Sequence, residues 1–207
     1  ATIRALKMHG GLDRDHLHME DIKSLNEGCE NLARHVTNLR KFGIPVIVAL
    51  NSFTSDTEAE RHALKEYCSH IGVDIEECNH WAAGGIGAQS LAERVISVTD
   101  NDPGEFKFLY SSDEQLMSKI ETIAVEIYGA DAIDFDSKAR RTLDELQDSG
   151  YGALPICIAK TPYSFSTDPS LKGAPTGHVL QVREVRLSSG AEFIVVICGA
   201  IMTMPGL

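Results

Sequence analysis

The sequence predicts an α/β protein with a Rossmann-like parallel sheet, flanking helices and a β-rich tail. Apolar residues between positions 22 and 39 alternate spacings of three and four, which predicts an amphipathic helix that ends at Gly43. The stretch IPVIVAL at 44–50 is continuously apolar and rich in β-branched residues, which is typical of a strand covered on both faces. Helix and strand patterns then alternate along the chain, and this alternation indicates the α/β class.

The remaining elements follow the same alternation. We expect strands at 73–78, 132–135 and 154–159, an extended piece at 106–110, helices at 57–71, 88–98, 113–128 and 137–149, and tail strands at 179–187 and 193–198. Capping-box spacing occurs twice before the second helix, in Ser55-x-x-Glu58 and Thr57-x-x-Glu60. Because the composition turns rich in Pro, Gly and Ser after Lys160, we predict a first domain at 1–160 and a loop and β-rich segment at 161–207.

Composition and charge restrict the possible partners. The 207 residues are 43% hydrophobic and carry 30 acidic against 19 basic side chains, a formal net charge of −11. An acidic chain of this kind lacks the basic field that collects nucleic acid or anionic membrane. No apolar run is long enough to cross a bilayer. We therefore expect neither nucleic acid nor membrane as a partner, and any anionic ligand must be held by local groups.

The five cysteines indicate reduced thiols in a cytoplasmic protein. Their number is odd, they are scattered, and they lie mostly within apolar or helical patterns. Zinc is the competing interpretation, because Cys68-x-His70 and Cys78-x-His80 resemble two halves of a site. Neither half has the spacing of common structural zinc sites, and residues two apart on a helix do not share a face. The sequence therefore predicts no metal site.

Two aromatic residues follow neighbouring predicted strands at their carboxyl ends. Phe53 lies three residues past the strand at 44–50, and Trp81, the only tryptophan, follows the strand at 73–78. Ligands of open α/β sheets bind beyond these strand ends. If the two strands are adjacent, the two rings could hold a flat conjugated ring between them. The alternative is that both rings merely close the core over their helices.

Other candidate motifs are weaker. Gly84-Gly85-Ile86-Gly87 could contact phosphate, but it lacks the last glycine of the dinucleotide fingerprint, so tight-turn geometry is the preferred explanation. Asp56, just before a helix, is interpreted as an N-cap rather than a catalytic base. None of the 17 glycines is followed by lysine, so the chain contains no Walker-type phosphate loop.

Long motifs connect this chain to a known family. The segments are RALKMHGG (4–11), NLARHVTNLRKFGIPVIVALNSFTSDTEAE (31–60), WAAGGIGA (81–88), KIETIAVEIYGAD (119–131), GYGALPICIAKTPYSFSTDP (150–169), PTGHVLQVREVRLSSGAEF (175–193) and MTMPGL (202–207). Together and in this order they resemble formate–tetrahydrofolate ligase, also called 10-formyltetrahydrofolate synthetase. The resemblance covers essentially the whole chain.

The resemblance implies an ATP-dependent ligase. Enzymes of this family convert formate to formyl phosphate, which tetrahydrofolate attacks to give 10-formyltetrahydrofolate. Magnesium, a monovalent cation and a homo-oligomer are also implied. We expect this chain to be an internal to C-terminal fragment of such a larger enzyme, truncated at both ends, with the ATP-binding loop and the cationic residues that hold formyl phosphate upstream of Ala1.

The resemblance also assigns a role to the aromatic pair. The phenylalanine of N-x-F-x-x-D-T-E and the tryptophan of W-A-x-G-G flank the folate pocket in the family, and these positions are Phe53 and Trp81 here. The resemblance therefore implies that residues 1–160 form a folate-pocket domain and that the segment contains no catalytic residue of its own.

Some positions depart from the family pattern, and two other functions remain open. Glu192 stands where glycine is usual, His178 where an aromatic is usual, and Pro162 where a polar residue is common; the packing of 161–199 is therefore the part in question. One alternative function is a non-catalytic folate or heterocycle-binding module without an ATP site. The other is a nucleotide-dependent oxidoreductase, against which the incomplete glycine pattern argues.

Overall fold

The computed structural model describes residues 1–201, which form two compact units. Unit one comprises Ala1–Lys107 with Lys172–Ala174, and unit two comprises Phe108–Leu171 with the described residues from Pro175 onward. The predicted α/β class, with parallel strands and flanking helices, is confirmed. The division does not fall at residue 160, and the predicted domains 1–160 and 161–207 stay a prediction for the protein as a whole. The MTMPGL motif at 202–207 lies outside the described residues.

Unit one is built on a pair of parallel strands. Its elements are α1 (Ile3–His9), α2 (Ile22–Arg40), β1 (Ile47–Asn51), α3 (Glu58–His70), β2 (Asp74–Cys78), α4 (His80–Ala83) and α5 (Gln89–Asn101), with 3-10 turns at Arg14–His16 and Gly84–Ala88. In the parallel register Ile47 lies opposite Asp74 and Asn51 opposite Cys78. The two strands are therefore neighbours, and their carboxyl ends meet at one edge.

Side-chain caps fix where the helices of unit one begin. The Asp21 carboxylate accepts a hydrogen bond of 2.8 Å from the Ser24 N–H at the start of α2. Thr57 and Glu60 form a reciprocal capping box at the start of α3, so only the second of the two predicted boxes defines this helix. The sequence pattern did not indicate α1, which begins after Thr2, whose hydroxyl accepts from the Ala5 N–H at 3.1 Å.

The core of unit one lies between its helices and β1. Buried residues from α1, α2, α3, β1 and the position before β2 form one cluster: Ile3, Leu6, Leu25, Cys29, Val36, Val48, Leu50, Leu64, Cys68 and Val73. Helices α1 and α2 approach so closely that a Cβ at Gly28 would overlap the carbonyl oxygen of Leu6. Burial raises the pKa of the Cys29 thiol to about 12 and that of Cys68 to about 11, so both thiols are protonated at neutral pH.

Unit two contains a four-stranded mixed sheet. Its elements are α6 (Leu116–Glu126), β3 (Ala130–Phe135), α7 (Ser137–Asp148), a 3-10 turn at Tyr151–Ala153, β4 (Ile156–Ala159), β5 (His178–Ser188) and β6 (Phe193–Cys198). The strand order is β3-β5-β6-β4, with β5 and β6 antiparallel and each also parallel to an outer strand.

The sheet arrangement differs from the single sheet and separate tail that the sequence suggested. The two tail strands β5 and β6 are the central strands of the sheet, and β3 and β4 pair with them rather than with β1 and β2. The physical reason is that an apolar strand pattern reports burial on both faces, not the identity of the neighbouring strand. Leu180, Ile194 and Val196 lie fully buried at the centre of this sheet.

Two further observations concern the chain as described. In residues 1–201, no helix combines the length and apolar character that a bilayer crossing requires. Glu192, in the turn between β5 and β6, has φ of 56°, a left-handed conformation in which glycine is favoured. Where the sequence analysis expected glycine, Glu192 therefore adopts a backbone conformation that favours glycine.

Candidate functional site

A cleft of about 700 Å³ opens at the carboxyl ends of β1 and β2. Its walls come from the turn after β1, the end of β2, the α4 segment and the first turn of α5. The volume is that of a site for a small organic molecule. The sequence analysis predicted a ligand site at this edge on the condition that the two strands are adjacent, because parallel neighbours have their carboxyl ends at the same edge. β1 and β2 are indeed paired in parallel.

Phe53 and Trp81 both line this cleft and face each other. Their ring centroids lie 6.3 Å apart, and the ring planes differ by 21°. A ring held between two others needs about 7 Å, two carbon contact distances of about 3.5 Å each. The ring planes are almost parallel, and the centroid spacing is slightly shorter than this distance.

Each ring has an additional contact within unit one. The Trp81 indole N–H donates to the Ser52 carbonyl oxygen at 2.9 Å, which attaches the exposed tryptophan to the end of β1. The Arg4 guanidinium, from α1, lies 3.9 Å from the centre of the Phe53 ring. This distance is within the range of a cation–π contact. Sequence reasoning did not find Arg4, since no local pattern connects residues 49 positions apart.

The turn that carries Phe53 is closed by Asp56. The Asp56 N–H donates to the Phe53 carbonyl oxygen at 3.0 Å, and the Asp56 carboxylate accepts from the Phe53 N–H at 2.8 Å. The expectation that Asp56 is the N-cap of the next helix was wrong, because Thr57 occupies that position. Asp56 instead fixes the turn before the helix, and the residue is only 6% exposed.

Glu77 lines the cleft and lies at the centre of a compensated charge cluster. Its carboxylate lies 3.1 Å from Arg61 and 2.7 Å from Lys65, and it also accepts from the Ser52 hydroxyl at 3.2 Å. Burial alone would raise the pKa of Glu77, but the Lys65 and Ser52 hydrogen bonds and the charges of Lys65 and Arg61 outweigh it and lower the pKa. Glu77 is therefore ionised at neutral pH and supports the cleft wall.

The glycine segment after Trp81 has a geometric explanation. Gly84 has φ of 65°, and a Cβ at Gly87 would overlap Asn79, whose N–H donates to the Gly87 carbonyl at 3.1 Å. The segment folds back on the end of β2 and so places Trp81 at the mouth of the cleft.

Comparison with known proteins identifies the family. The family profile described as formate–tetrahydrofolate ligase matches residues 1–207. The chain belongs to this family. Among curated formate–tetrahydrofolate ligases, those of Pelagibacter ubique (strain HTCC1062), Hyphomonas neptunium (strain ATCC 15444) and Granulibacter bethesdensis (strain ATCC BAA-1260 / CGDNIH1) are 60%, 54% and 53% identical to it over 207 residues.

The match is complete for this chain but partial for its relatives. All of the chain aligns with each of these formate–tetrahydrofolate ligases, and it spans 37%, 37% and 36% of their lengths, respectively. The resemblance read from the motifs is thus confirmed at the level of the family. The role that the resemblance implies for Phe53 and Trp81 stays a prediction, although the structure brings both rings together at one cleft.

Proposed function

We propose that this chain supplies the folate-binding pocket of an ATP-dependent formate–tetrahydrofolate ligase. The whole protein would convert formate to formyl phosphate and transfer the formyl group to tetrahydrofolate, giving 10-formyltetrahydrofolate. The observation that supports the pocket assignment is the facing pair of Phe53 and Trp81 at a cleft of about 700 Å³. Family membership supports the reaction.

The two facing rings of the cleft suit stacking with a flat heterocycle. The pterin ring of tetrahydrofolate would enter between Phe53 and Trp81, and each stacked ring contributes about 0.5–1.5 kcal/mol beyond the area that it buries. Stacking orients the ring without breaking a bond. The contribution of this segment to catalysis would therefore be proximity and orientation, which can supply a large part of a bimolecular rate enhancement.

The proposal assigns the phosphate chemistry to residues outside this chain. ATP, magnesium and a monovalent cation would bind mostly elsewhere in the whole protein, since no glycine in these 207 residues precedes a lysine. We further propose a cytoplasmic homo-oligomer that acts on small molecules. A heterocycle-binding module without an ATP site is the alternative, and synthesis of 10-formyltetrahydrofolate from formate, ATP and tetrahydrofolate by the whole protein would exclude it.

The test is ligand binding by the full-length protein carrying Phe53→Ala or Trp81→Ala. We expect each substitution to weaken tetrahydrofolate binding about tenfold, the loss of one stacking contact and some buried area, while the Kd for ATP stays unchanged. Phe193→Ala is the matched control, because Phe193 is 39% exposed on β6 and does not line the cleft. Equal loss of ATP and tetrahydrofolate binding, or no loss of either, would contradict the pocket assignment.

A further inference from the structure

Two charged side chains contact the Phe53 residue from different parts of unit one. Arg4, in α1, lies with its guanidinium carbon 3.9 Å from the ring centroid. Asp56 accepts a hydrogen bond from the Phe53 N–H at 2.8 Å. Arg4 contacts the ring and Asp56 the backbone N–H, so together they restrict both the side chain and the main chain of Phe53.

The Asp56 contact determines the direction in which Phe53 leaves the chain. A buried carboxylate is stable only where hydrogen bonds compensate its lost hydration, and the Phe53 N–H provides one. The reverse bond, from the Asp56 N–H to the Phe53 carbonyl, closes the turn at 3.0 Å. Arg61 donates to the Asp56 carbonyl at 2.7 Å and links this turn to the cleft wall. The φ and ψ angles of the turn, and hence the Cα–Cβ direction of Phe53, are thereby fixed.

The Arg4 contact restricts the ring itself. A planar guanidinium can lie against an aromatic face, and rotation of the ring away from it would lose that contact. Within residues 1–201, Arg4 forms no ion pair that would hold its guanidinium elsewhere. Lysine could supply the charge but not the flat surface. We therefore expect the contact of Arg4 with Phe53 to depend on the guanidinium group and not on charge alone.

The two supports are connected through a buried ion pair. Lys7 lies one helical turn after Arg4, and its ammonium contacts the Glu60 carboxylate at 2.8 Å. The second oxygen of Glu60 accepts from the N–H of Thr57, the residue after Asp56, at 3.1 Å. Helix α1 and the start of α3 are thus joined at a fixed spacing, which also fixes the spacing of Arg4 and Asp56.

We propose that Arg4 and Asp56 are positioning residues for Phe53. They hold the ring in the orientation that stacks on the heterocycle, so binding does not have to immobilise it. The inference rests on the proposed function, because it assumes that tetrahydrofolate stacks on Phe53. Neither residue needs to touch the ligand, since both act through Phe53.

The test measures the Kd of tetrahydrofolate and of ATP in the full-length protein with paired substitutions. Asp56→Leu removes the acceptor and should weaken tetrahydrofolate binding about tenfold, whereas Asp56→Asn keeps an acceptor oxygen and should restore most of it. Arg4→Met and Arg4→Lys should each weaken it about threefold, because neither side chain presents a planar cation. ATP binding should not change in any variant.

Combination with Phe53→Ala distinguishes a positioning role from direct ligand contact. In the Phe53→Ala background, Arg4→Met and Asp56→Leu should have no further effect on tetrahydrofolate binding. Asp136→Leu is the control for general loss of an aspartate hydrogen bond, because Asp136 accepts from the Lys138 N–H at 2.9 Å in unit two.

Three outcomes would overturn the inference. The first is full additivity of Arg4→Met with Phe53→Ala, the second is an equal effect of Asp56→Asn and Asp56→Leu, and the third is unchanged binding in both Arg4→Met and Asp56→Leu. If Phe53→Ala itself leaves tetrahydrofolate binding unchanged, the proposed function fails, and this result is separate from failure of the positioning role.

Discussion

Within residues 1–201 each unit buries one lysine, and the two lysines are compensated in different ways. In unit one the Lys7 ammonium contacts the Glu60 carboxylate at 2.8 Å and donates to the Met19 carbonyl at 2.7 Å. In unit two the Lys119 ammonium donates to three backbone carbonyls, those of Ser112 at 2.8 Å, Gly152 at 2.6 Å and Leu154 at 3.3 Å. The Lys7 ammonium thus contacts a carboxylate, whereas the hydrogen bonds of the Lys119 ammonium go to neutral carbonyl oxygens.

The two buried lysines also connect different elements of the structure. The ion pair of unit one joins α1, which contains Arg4, to the start of α3, which follows Asp56. The three carbonyl hydrogen bonds of Lys119 in unit two join α6 to the segments around β4, where no candidate site residue was predicted. Burial lowers the pKa of Lys119 although the charges of Glu114 and Asp113 oppose it, so three carbonyls do not fully replace the lost hydration. Stability and site geometry should therefore be coupled at Lys7 and not at Lys119.

The largest expected effect comes from Lys7→Met. This substitution leaves the Glu60 carboxylate, which is 0% exposed, without its counter-charge. We expect a loss of about 3–5 kcal/mol in the free energy of unfolding, the usual result of breaking a buried ion pair from one side. Amide hydrogen exchange of α1 and α3 would measure the loss locally. A cost below about 1 kcal/mol would mean that the pair behaves as an exposed one.

The pH dependence of the same variant provides the control. Burial alone would raise the pKa of Glu60, but hydrogen bonds from Lys7, Asp21 and Thr57 and the charge of Lys7 outweigh it, so the net pKa is below its ordinary value of 4.5. The folded state then binds fewer protons than the unfolded state, and this stabilisation is full above pH 4.5 and lost as the pH falls through the folded pKa. The deficit of Lys7→Met should therefore shrink below pH 4.5. A deficit independent of pH would point to lost packing instead.

Lys119→Met should have a smaller effect. It leaves neutral carbonyl oxygens without a donor rather than an isolated charge, and it replaces the lysine stem with an apolar chain of similar length. We expect a cost of about 1–3 kcal/mol, observed as faster hydrogen exchange in α6 and β4. Tetrahydrofolate affinity of the full-length protein should not change. If Lys119→Met costs as much as Lys7→Met, the proposed difference between a charged and a neutral partner is wrong.

Local patterns predicted most helices and strands because those patterns arise within one element. The apolar stripe at 22–39 became α2, and the run at 193–198 became β6 with the same bounds. By contrast, the pairing of β3 with β5 joins Phe135 to Val182, and no pattern within either strand identifies the partner. The missing information is long-range, as in every sheet assembled from segments distant in sequence.

Local sequence patterns likewise predicted only part of the candidate site. The position of Phe53 and Trp81 after neighbouring strands followed from α/β geometry, and the facing rings agree with it. The contact of Arg4 with Phe53 and the bond from Phe53 to Asp56 could not follow. The first depends on where α1 packs, and the second required the choice between Asp56 and Thr57 as N-cap, which capping preferences alone do not decide.

The smallest expected effect concerns the left-handed turns of the two units. In unit one such positions are glycines, for example Gly43 with φ of 70° and Gly72 with φ of 64°, whereas the β5–β6 turn of unit two has Glu192 at 56°. A left-handed conformation costs a residue with a Cβ about 1 kcal/mol relative to glycine. Glu192→Gly should therefore raise the free energy of unfolding of unit two, by less than about 1 kcal/mol because the freedom of glycine in the unfolded chain offsets part of the gain.

The neighbouring residue separates this strain from a general effect of glycine. Ala191→Gly, at a position without positive φ, should instead lower the stability by about 0.5–1 kcal/mol, because glycine gains more freedom in the unfolded chain. Glu192→Gln removes the charge but keeps the Cβ, so it should leave the melting temperature close to that of the parent. Opposite signs for the two glycine substitutions would attribute the gain to the backbone conformation of Glu192. A gain from Glu192→Gln of the same size would attribute it to charge in this acidic chain instead, and the left-handed turn would then be tolerated without measurable strain.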